Sequence, residues 1–309
     1  MGKALFTMIF LAACFASAAE PSARTPVLLD TDIGTDIDDA FALALITSSP
    51  ELELLGVTTV SGDTAARARL AAKFLWEAGG KWRQVPVVAG ASGSAQPIEQ
   101  TRWAESFVSP QILRESAVDC LRGQFHRRPG ETTFICIGEL TNVAALLKAD
   151  PAVAKKIKRI VLMGGSIARG YEAGSQPEPE WNIKSDPAAA RAVFESGIPI
   201  LVAPLDVTAM LKLDAAGRNR VFNHGTPITN SLAALYHLWN RETPILFDPM
   251  AVALAIDPGL CKTSDLAIEV DDRGFTRVVE GKPANARVAL STDASQFFKF
   301  YLDRVAPKK

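Results

Sequence analysis

Short apolar runs, rich in β-branched residues, alternate with helical stretches along the first two-thirds of the chain. These runs cover residues 26–29, 52–60, 85–88, 132–137, 159–163 and 198–202. Strands that alternate with helices build parallel sheets, which are buried on both faces and therefore read as almost continuous apolar segments. This order predicts the α/β class, with an open, mostly parallel sheet flanked by helices.

The pattern changes after about residue 262. Two strand-like segments, 266–270 and 275–279, flank the turn sequence Asp271-Asp272-Arg273-Gly274 and predict a C-terminal antiparallel hairpin. A final helix is expected over about 294–305. Nothing in the composition marks a linker, and 309 residues of which 48% are hydrophobic can bury one large core. We therefore expect a single domain over residues 25–306.

The charge balance favours a small molecule over nucleic acid as the partner. The chain has 33 basic and 34 acidic residues, a net charge of −1, and no basic stripe. Beyond residue 19 it has three cysteines, Cys120, Cys136 and Cys261, without a metal-binding spacing. Three cysteines allow at most one disulfide, so neither a zinc site nor a disulfide framework is expected. Cys136 lies within a predicted strand and is expected in the core.

The N-terminus is typical of an exported protein. A basic start, the apolar run 4–15 and the small residues 16–19 predict a signal peptide over residues 1–19, which is too short to span a bilayer. The expected location is periplasmic or secreted. A second interpretation is a lipoprotein, because Leu11-Ala12-Ala13-Cys14 resembles a bacterial lipobox. In that case Cys14 would carry a lipid anchor.

An acidic segment directly follows the first predicted strand. Residues 28–40 contain five carboxylates, contributed by Asp30, Asp32, Asp36, Asp38 and Asp39. Anions this close repel one another by about 1 kcal/mol or more per pair, so a fold keeps them together mainly where a hard divalent cation or a polyhydroxylated ligand compensates. A helix N-cap would explain only one or two of the five. In open α/β sheets ligands bind at the carboxyl ends of strands, which is where this segment lies.

Four further segments place polar residues after strands or in polar loops. Asp63 precedes a predicted helix over 64–78 and is equally well explained as its N-cap. Thr141 follows the strand that ends at Ile137, and it can be a cap or can offer its carbonyl to a metal. The loop sequence Glu180-Trp181-Asn182 suits a sugar better than solvent. Asp248, followed by Pro249, can be a helix cap or a functional acid.

Taken together, these segments resemble the inosine-uridine-preferring nucleoside hydrolase family in order and spacing. The resemblance runs from about Val27 to Val252 and is carried by Asp30-Thr31-Asp32 with Asp38-Asp39-Ala40, Gly138-Glu139-Leu140-Thr141-Asn142, Val161-Leu162-Met163-Gly164-Gly165, Glu180-Trp181-Asn182 and Phe247-Asp248-Pro249. The chain is similar to the subgroup with Ile-Gly-x-Asp-Ile between the two acidic pairs, whereas the usual motif is two residues shorter. The resemblance implies a Rossmann-like nucleoside hydrolase fold.

The resemblance also implies an activity and a set of site residues. It implies a Ca²⁺-dependent hydrolase that splits the N-glycosidic bond of ribonucleosides into ribose and free base, as in nucleoside catabolism and purine salvage, and that assembles as a homo-oligomer, a dimer or tetramer. By matching positions, Asp32, Asp39, the carbonyl of Thr141 and Asp248 would ligate calcium, with Asp32 also the general base. The ribose would be held by Asp38, Glu180 and Asn182, and by Asp63, which stands where the family usually has Asn.

The departure from the family pattern lies at the leaving base. Several members have a His immediately before the acid that corresponds to Asp248, whereas this chain has Phe247, which cannot donate a proton. Purine-preferring relatives have an aromatic residue there that stacks on the base, so Phe247 favours purine ribosides. The residues that remain as proton donors from the sequence are His224, His237, Tyr236 and Glu242.

Two alternatives compete with a nucleoside hydrolase. The Asp-x-Asp start also resembles haloacid-dehalogenase phosphatases, which would leave the Glu180-Trp181-Asn182 loop unexplained. An exported riboside-binding protein without turnover is the other alternative, motivated by Phe247 and Asp63. Every predicted metal ligand is retained, which favours catalysis because binding alone does not need a positioned water.

Overall fold

The structure is a computed structural model that describes Gly2 and residues 24–93 and 98–308. The predicted signal peptide over 1–19 and the lipobox at Cys14 lie outside the described residues, so export and lipidation stay predictions. Among the described residues, no helix has the length and apolar character needed to cross a membrane.

A nine-stranded, mostly parallel sheet forms the centre of the fold, in the order β4-β3-β2-β1-β5-β6-β7-β11-β8. Its strands are β1 (Thr25–Thr31), β2 (Leu52–Thr59), β3 (Val87–Ala89), β4 (Ile112–Leu113), β5 (Thr133–Cys136), β6 (Arg159–Met163), β7 (Ile200–Ala203), β8 (Cys261–Leu266) and β11 (Ala286–Thr292). All pairings are parallel except that of β11 with β8. The predicted sheet is therefore confirmed.

Helices cover both faces of this sheet. They are α1 (Asp38–Thr47), α2 (Thr64–Ala78), α3 (Ala117–Arg127), α4 (Thr141–Ala149), α5 (Trp181–Ser185), α6 (Pro187–Phe194), α7 (Leu205–Thr208), α8 (Ala215–Phe222), α9 (Pro227–Trp239), α10 (Phe247–Ile256) and α11 (Ala294–Val305). Side chains of β1 alternate between two cores: Val27 and Leu29 join one cluster and Leu28 joins the other. This period of two is what a strand buried on both faces requires.

The predicted C-terminal hairpin is present as a separate two-stranded sheet. Its strands, β9 (Ile268–Val270) and β10 (Thr276–Val278), pair antiparallel. Two neighbouring strands of the main sheet, β8 and β11, were not predicted. They are more polar and more exposed than the central strands, so their apolar pattern is weak.

The three cysteines among the described residues lie in the interior. Cys120, Cys136 and Cys261 are free and buried, and Cys136 lies in the core as predicted. The boundaries of a single domain over 25–306 stay a prediction.

Candidate active site

A cavity of about 350 Å³ opens at the carboxyl ends of the central strands. Residues that directly follow β1 and β5, the last residue of β6, and the first turns of α1, α5 and α10 contribute to it. It is lined by Asp32, Thr35, Asp36, Asp38, Asp39, Ile137, Met163, Tyr171, Glu180, Trp181, Asn182, Arg241, Phe247 and Asp248. This is the end of an open α/β sheet at which ligands bind. Four of the five clustered carboxylates predicted from the sequence line this cavity.

Local hydrogen bonds and one glycine shape the acidic segment. The Thr31 hydroxyl accepts from the amide of Ile33 at 3.1 Å and donates to Asp39 Oδ1 at 2.5 Å. Gly34 has φ +117°, and a Cβ there would come within 2.7 Å of Ile98 Cγ2. Only glycine avoids both the strained backbone and the clash. The turn delivers Asp38 and Asp39 to the first turn of α1, where the helix dipole favours anions.

Asp32 projects into the cavity from the end of β1 and is 9% exposed. The neighbouring strand approaches it closely at Gly138, where a Cβ would lie 3.1 Å from Asp32 Oδ1 and 2.7 Å from Val60 Cγ1. A larger residue at 138 would push against the carboxylate. Burial raises the pKa of Asp32, and the positive charge of Arg67 opposes that effect.

Backbone amides hold Glu180 in a fixed orientation. As the N-cap of α5 it accepts hydrogen bonds from Asn182 N at 2.9 Å, Ile183 N at 3.2 Å and Gly165 N at 3.0 Å. Burial raises its pKa to about 7 although these amides favour the anion. The Asn182 side-chain amide group donates to the carbonyls of Met163 and Ile137. Its oxygen makes no hydrogen bond within the described residues and is free for a ligand.

Three carboxylates form a group with metal-ligand spacing. One oxygen each of Asp38, Asp39 and Asp248 lies within 4.8 Å of the others, and all three residues are buried. Burial, and repulsion from neighbouring carboxylates that include Asp32 and Asp36, raise the pKa values of all three well above the usual range. No ion pair within the described residues includes any of them. Buried oxygens without a resident counter-charge suit a divalent cation with hard oxygen ligands.

The carboxylates of this group differ in one member from the carboxylates of the ligand set that the resemblance implied. The predicted set contained Asp32, whereas the geometric group contains Asp38, which had been assigned to the ribose. Asp38 also accepts a hydrogen bond from the amide of Asp248 at 3.3 Å. Asp32 lines the same cavity, so both acids are placed to meet a metal or a sugar.

Two predicted site residues do not line the cavity. Asp63 is exposed, and its side chain accepts from the amide of Ala66 at 2.9 Å as the N-cap of α2. Thr141 is the first residue of α4, and its hydroxyl donates to Asp186 Oδ2 at 2.7 Å. Capping accounts for the observed contact of Asp63. The role predicted for Thr141 uses its backbone carbonyl and stays a prediction.

Asp30, the remaining acid of the segment, faces the interior. It is fully buried and accepts from Thr58 Oγ1 at 2.5 Å and from Asn142 Nδ2 at 2.7 Å. Burial raises its pKa to about 7. Asn142 also accepts from the amide of Ala91. Asp30 therefore ties the base of the site to neighbouring elements rather than meeting a ligand.

The cavity includes residues that sequence reasoning missed. Tyr171 packs edge-to-face on Phe247, with ring centroids 6.0 Å apart, and its hydroxyl accepts from the amide of Trp181 at 2.8 Å. Arg241 contributes a cation beside Asp36. Tyr171 and Arg241 lie in loops of irregular spacing, so periodicity does not reveal them. Trp181 also lines the cavity, and the sequence Glu180-Trp181-Asn182 was the signal that pointed to it.

The proton donors proposed from the sequence lie away from the cavity. The residues that line the cavity do not include His224, His237, Tyr236 or Glu242. The Tyr236 hydroxyl donates to the carbonyl of Glu242 at 2.6 Å, and the Glu242 carboxylate is 3.7 Å from Arg218. Phe247 does line the cavity, as predicted for a residue that contacts the base.

Comparison with known proteins agrees with this geometry. The profile of the inosine-uridine preferring nucleoside hydrolase family matches residues 27–299. The chain is 33% identical over 305 residues to the non-specific ribonucleoside hydrolase RihC of Escherichia fergusonii, covering 92% of this chain and 99% of that protein.

Solved structures give the same result. A plant nucleoside hydrolase, PpNRh1, superposes with a TM-score of 0.80 at 25% identity, covering 92% of this chain and 99% of the plant chain. A purine-preferring ribonucleoside hydrolase from Gardnerella vaginalis superposes with a TM-score of 0.76 at 28% identity, covering 91% and 98%.

Proposed function

The chain belongs to the inosine-uridine preferring nucleoside hydrolase family and is a ribonucleoside hydrolase; we propose that its reaction depends on Ca²⁺ and that it prefers purine ribosides. The observation that carries the proposal is the single cavity in which Asp32, Asp38, Asp39, Asp248, Glu180 and Asn182 meet. The phosphatase alternative is not favoured, because its later acidic pair, Asp271-Asp272, lies at the β9–β10 turn.

The sugar would be bound by fixed acceptors. Glu180, held by three backbone amides, and the free oxygen of Asn182 can each accept a hydrogen bond from a ribose hydroxyl. Asp38 is the third predicted acceptor. Because these groups are already oriented in the fold, they lose little freedom when the ribose binds.

A calcium ion fits the donor set. It accepts six to eight oxygen ligands, so Asp39, Asp248 and either Asp32 or Asp38, with the carbonyl of Thr141, would leave positions for ribose hydroxyls and water. When bound, calcium orients and acidifies a water molecule. A metal that demands strict octahedral geometry would suit this mixed set less well.

The carboxylates serve the chemistry in two ways. Splitting an N-glycosidic bond develops positive charge on the ribosyl group, and a ring of anions stabilises that charge. Asp32, at the end of β1, would take the proton from the attacking water. The bond between the sugar carbon and the base nitrogen breaks, its electron pair stays on the base, and the water oxygen becomes the new hydroxyl of ribose. The base takes up one proton from solvent and Asp32 releases one, so that nucleoside and water give ribose and free base.

The base would lie against Phe247. This side chain lines the cavity and is supported by the Tyr171 ring. Stacking a purine on an aromatic face stabilises it by about 0.5–1.5 kcal/mol beyond area burial. Purines offer the larger face, so they should gain more than uracil.

The proposal is tested by assaying purified protein against a panel of purine and pyrimidine ribosides, with free ribose as the readout. We expect ribose release from at least one purine riboside, loss of release with a chelator, and recovery with Ca²⁺. Release that survives exhaustive chelation would overturn the metal requirement. Binding of ribosides without cleavage in the presence of calcium would instead identify a riboside-binding protein. Assembly as a homo-oligomer is a further proposal, tested by sedimentation.

A further inference from the structure

A buried arginine lies beneath the acidic segment. Arg67, in the first turns of α2, is only 3% exposed. Its guanidinium donates to the carbonyl of Ser61 at 2.8 Å, to the carbonyl of Ile33 at 3.0 Å, and to the carbonyl of Asp32. It also donates to Thr35 Oγ1 at 2.8 Å. Four of the five donors that an arginine offers are used, and three of them contact residues 32–35.

The charge of Arg67 has no directly bonded anion. No ion pair within the described residues includes it, and its four partners are neutral oxygens. Burying a cation in this way is costly unless nearby anions compensate it through space. Such anions lie nearby: Arg67 contacts the carbonyl of Asp32, whose own carboxylate lines the cavity together with that of Asp39.

We propose that Arg67 is a positioning residue. It fixes residues 32–35 of the acidic segment to the β2–α2 loop and supplies a permanent positive charge beneath the carboxylates. Residues 33–35 belong to the stretch 33–37 between the two acidic pairs, which is two residues longer than in the usual motif, and the turn at Gly34 is irregular. A turn without regular secondary structure needs such external hydrogen bonds to hold one conformation. The part of this proposal that concerns catalysis rests on the proposed function.

The geometry requires an arginine. Its planar group bonds in three directions at once, to Ser61 on one side and to Ile33 and Thr35 on the other. A lysine keeps the charge, but its single nitrogen cannot reach the same set of acceptors. The conservative variant therefore separates the two contributions, since it retains charge and loses most of the hydrogen bonds.

The test compares Arg67→Met and Arg67→Lys with the wild type by amide hydrogen exchange, calcium titration and steady-state kinetics. We expect Arg67→Met to exchange the hydrogen-bonded amides within residues 32–37, those of Ile33 and Ile37, at least about 100-fold faster, because several hydrogen bonds of about 1 kcal/mol that hold this segment are lost, while β5 and β6 stay protected. Calcium affinity should fall by about 10-fold. With calcium saturating, kcat should fall by about 10-fold or more with little change in KM, since Asp32 is misplaced rather than the ribose acceptors.

Two further variants complete the design. Arg67→Lys should lie between the wild type and Arg67→Met in all three measurements. Arg69→Met is the matched control, because Arg69 lies on the same helix and makes no hydrogen bond to residues 31–39 within the described chain; it should behave like the wild type. If Arg67→Met does not fold, Thr35→Val removes one acceptor from the opposite side and should speed local exchange by about 3- to 10-fold.

The outcomes separate this proposal from the proposed function. Unchanged exchange of residues 32–37 in a folded Arg67→Met variant would overturn the positioning role, whatever the enzyme hydrolyses. A calcium affinity that rises in this variant would overturn it as well, because it would show that Arg67 repels the metal more than it organises the site. A wild type that neither binds calcium nor cleaves ribosides would refute the proposed function, while the exchange measurement would still decide the role of Arg67.

Discussion

At the residue scale, the acid at the end of β1 has the most demanding role. Asp32 is buried against Gly138 and is predicted both to ligate calcium and to act as the general base. Replacing it with Asn keeps the size and removes the base, so Asp32→Asn should lower kcat by about 10²-fold or more while the thermal transition stays cooperative. Ribose release and calcium titration of the same preparation measure both effects.

A matched variant makes this result specific. Asp214→Asn changes another acid, one that caps α8 through the amide of Gly217 and does not line the cavity, and it should retain most of the activity. Near wild-type turnover and calcium affinity in Asp32→Asn would refute the assignment.

Asp38 and Asp248 can be distinguished by which property, calcium binding or ribose binding, is lost when each is replaced with alanine. From the resemblance, Asp248→Ala should abolish tight calcium binding. Asp38→Ala should raise KM and lower kcat while calcium binding is largely kept, because ribose contacts strengthen in the transition state. Isothermal titration with calcium, followed by kinetics at saturating calcium, separates the two. The reverse order would show that the geometric group of Asp38, Asp39 and Asp248 is the true ligand set.

Phe247 decides how the leaving base is activated. If stacking is the main contribution, Phe247→Ala should lower kcat/KM for purine ribosides by up to about 10-fold, the value of one aromatic pair, and should affect uridine less. Phe247→Leu keeps the packing against Tyr171 and removes only the π face, so it serves as the control. A wild type that prefers uridine, or an Ala variant indifferent to the base, would mean that Phe247 only packs.

Individual site residues were predictable where they lie in a motif that resembles the family, whether it directly follows a strand, as for Asp32, or lies at a helix start, as for Glu180 and Phe247. Seven of the predicted residues line the cavity: Asp32, Asp38, Asp39, Glu180, Asn182, Phe247 and Asp248. Arg67, Tyr171 and Arg241 were not found. Arg67 looks like an ordinary helical arginine in the sequence, since three of its four partners are backbone oxygens 6 to 35 residues away, which no side-chain pattern encodes.

At the scale of elements, the start of α2 tests whether Asp63 is more than a cap. Its bond to the amide of Ala66 predicts that Asp63→Ala lowers the free energy of unfolding by about 1 kcal/mol, whereas Asp63→Asn, which still caps, lowers it by less. Urea denaturation measures this. Kinetics of the same two variants provide the second readout: a KM that rises several-fold in Asp63→Ala at unchanged stability would favour the ribose contact over the cap.

The central elements were predictable because they are buried on both faces and therefore apolar throughout. The final helix, Ala294–Val305, has the predicted bounds. Strand β4 was missed because it has only two residues, at the sheet edge. Strand β11 was missed because it is partly exposed and its apolar pattern is weak. Its place between β7 and β8, beside a strand more than 80 residues earlier in the chain, is set by tertiary packing.

At the scale of the whole molecule, buried acids connect stability to pH and to metal. Burial raises the pKa of Asp30 and Glu180 to about 7, from ordinary values of 3.8 and 4.5. At pH values between the ordinary and the raised pKa of each side chain, the folded state binds more protons than the unfolded state. The free energy of unfolding should therefore fall as pH rises from about 5 to 7.5. The acids of the metal group have raised pKa values as well and act in the same direction.

Calcium should reverse this trend, because it stabilises the ionised carboxylates and binds only the folded chain. Urea denaturation at pH 5, 6, 7 and 8, with chelator and with millimolar calcium, measures both slopes. Magnesium at the same concentration controls for ionic strength and should be less effective. Metal-free protein that becomes more stable between pH 5 and 8 would contradict the expectation.

The amide of Asp248 and the carboxylate of Asp38 meet across 210 residues of sequence. During synthesis, the ribosome therefore releases the acids of residues 30–39 long before their last partner exists. Until α10 has been synthesised, the ligand set of those carboxylates is incomplete and they must remain hydrated. Nascent chains that stop short of residue 248 should therefore bind neither calcium nor nucleosides. Activity should therefore appear only after residue 248 has been synthesised and α10 has folded, so that enzymatic activity is a sensitive measure of complete translation and folding.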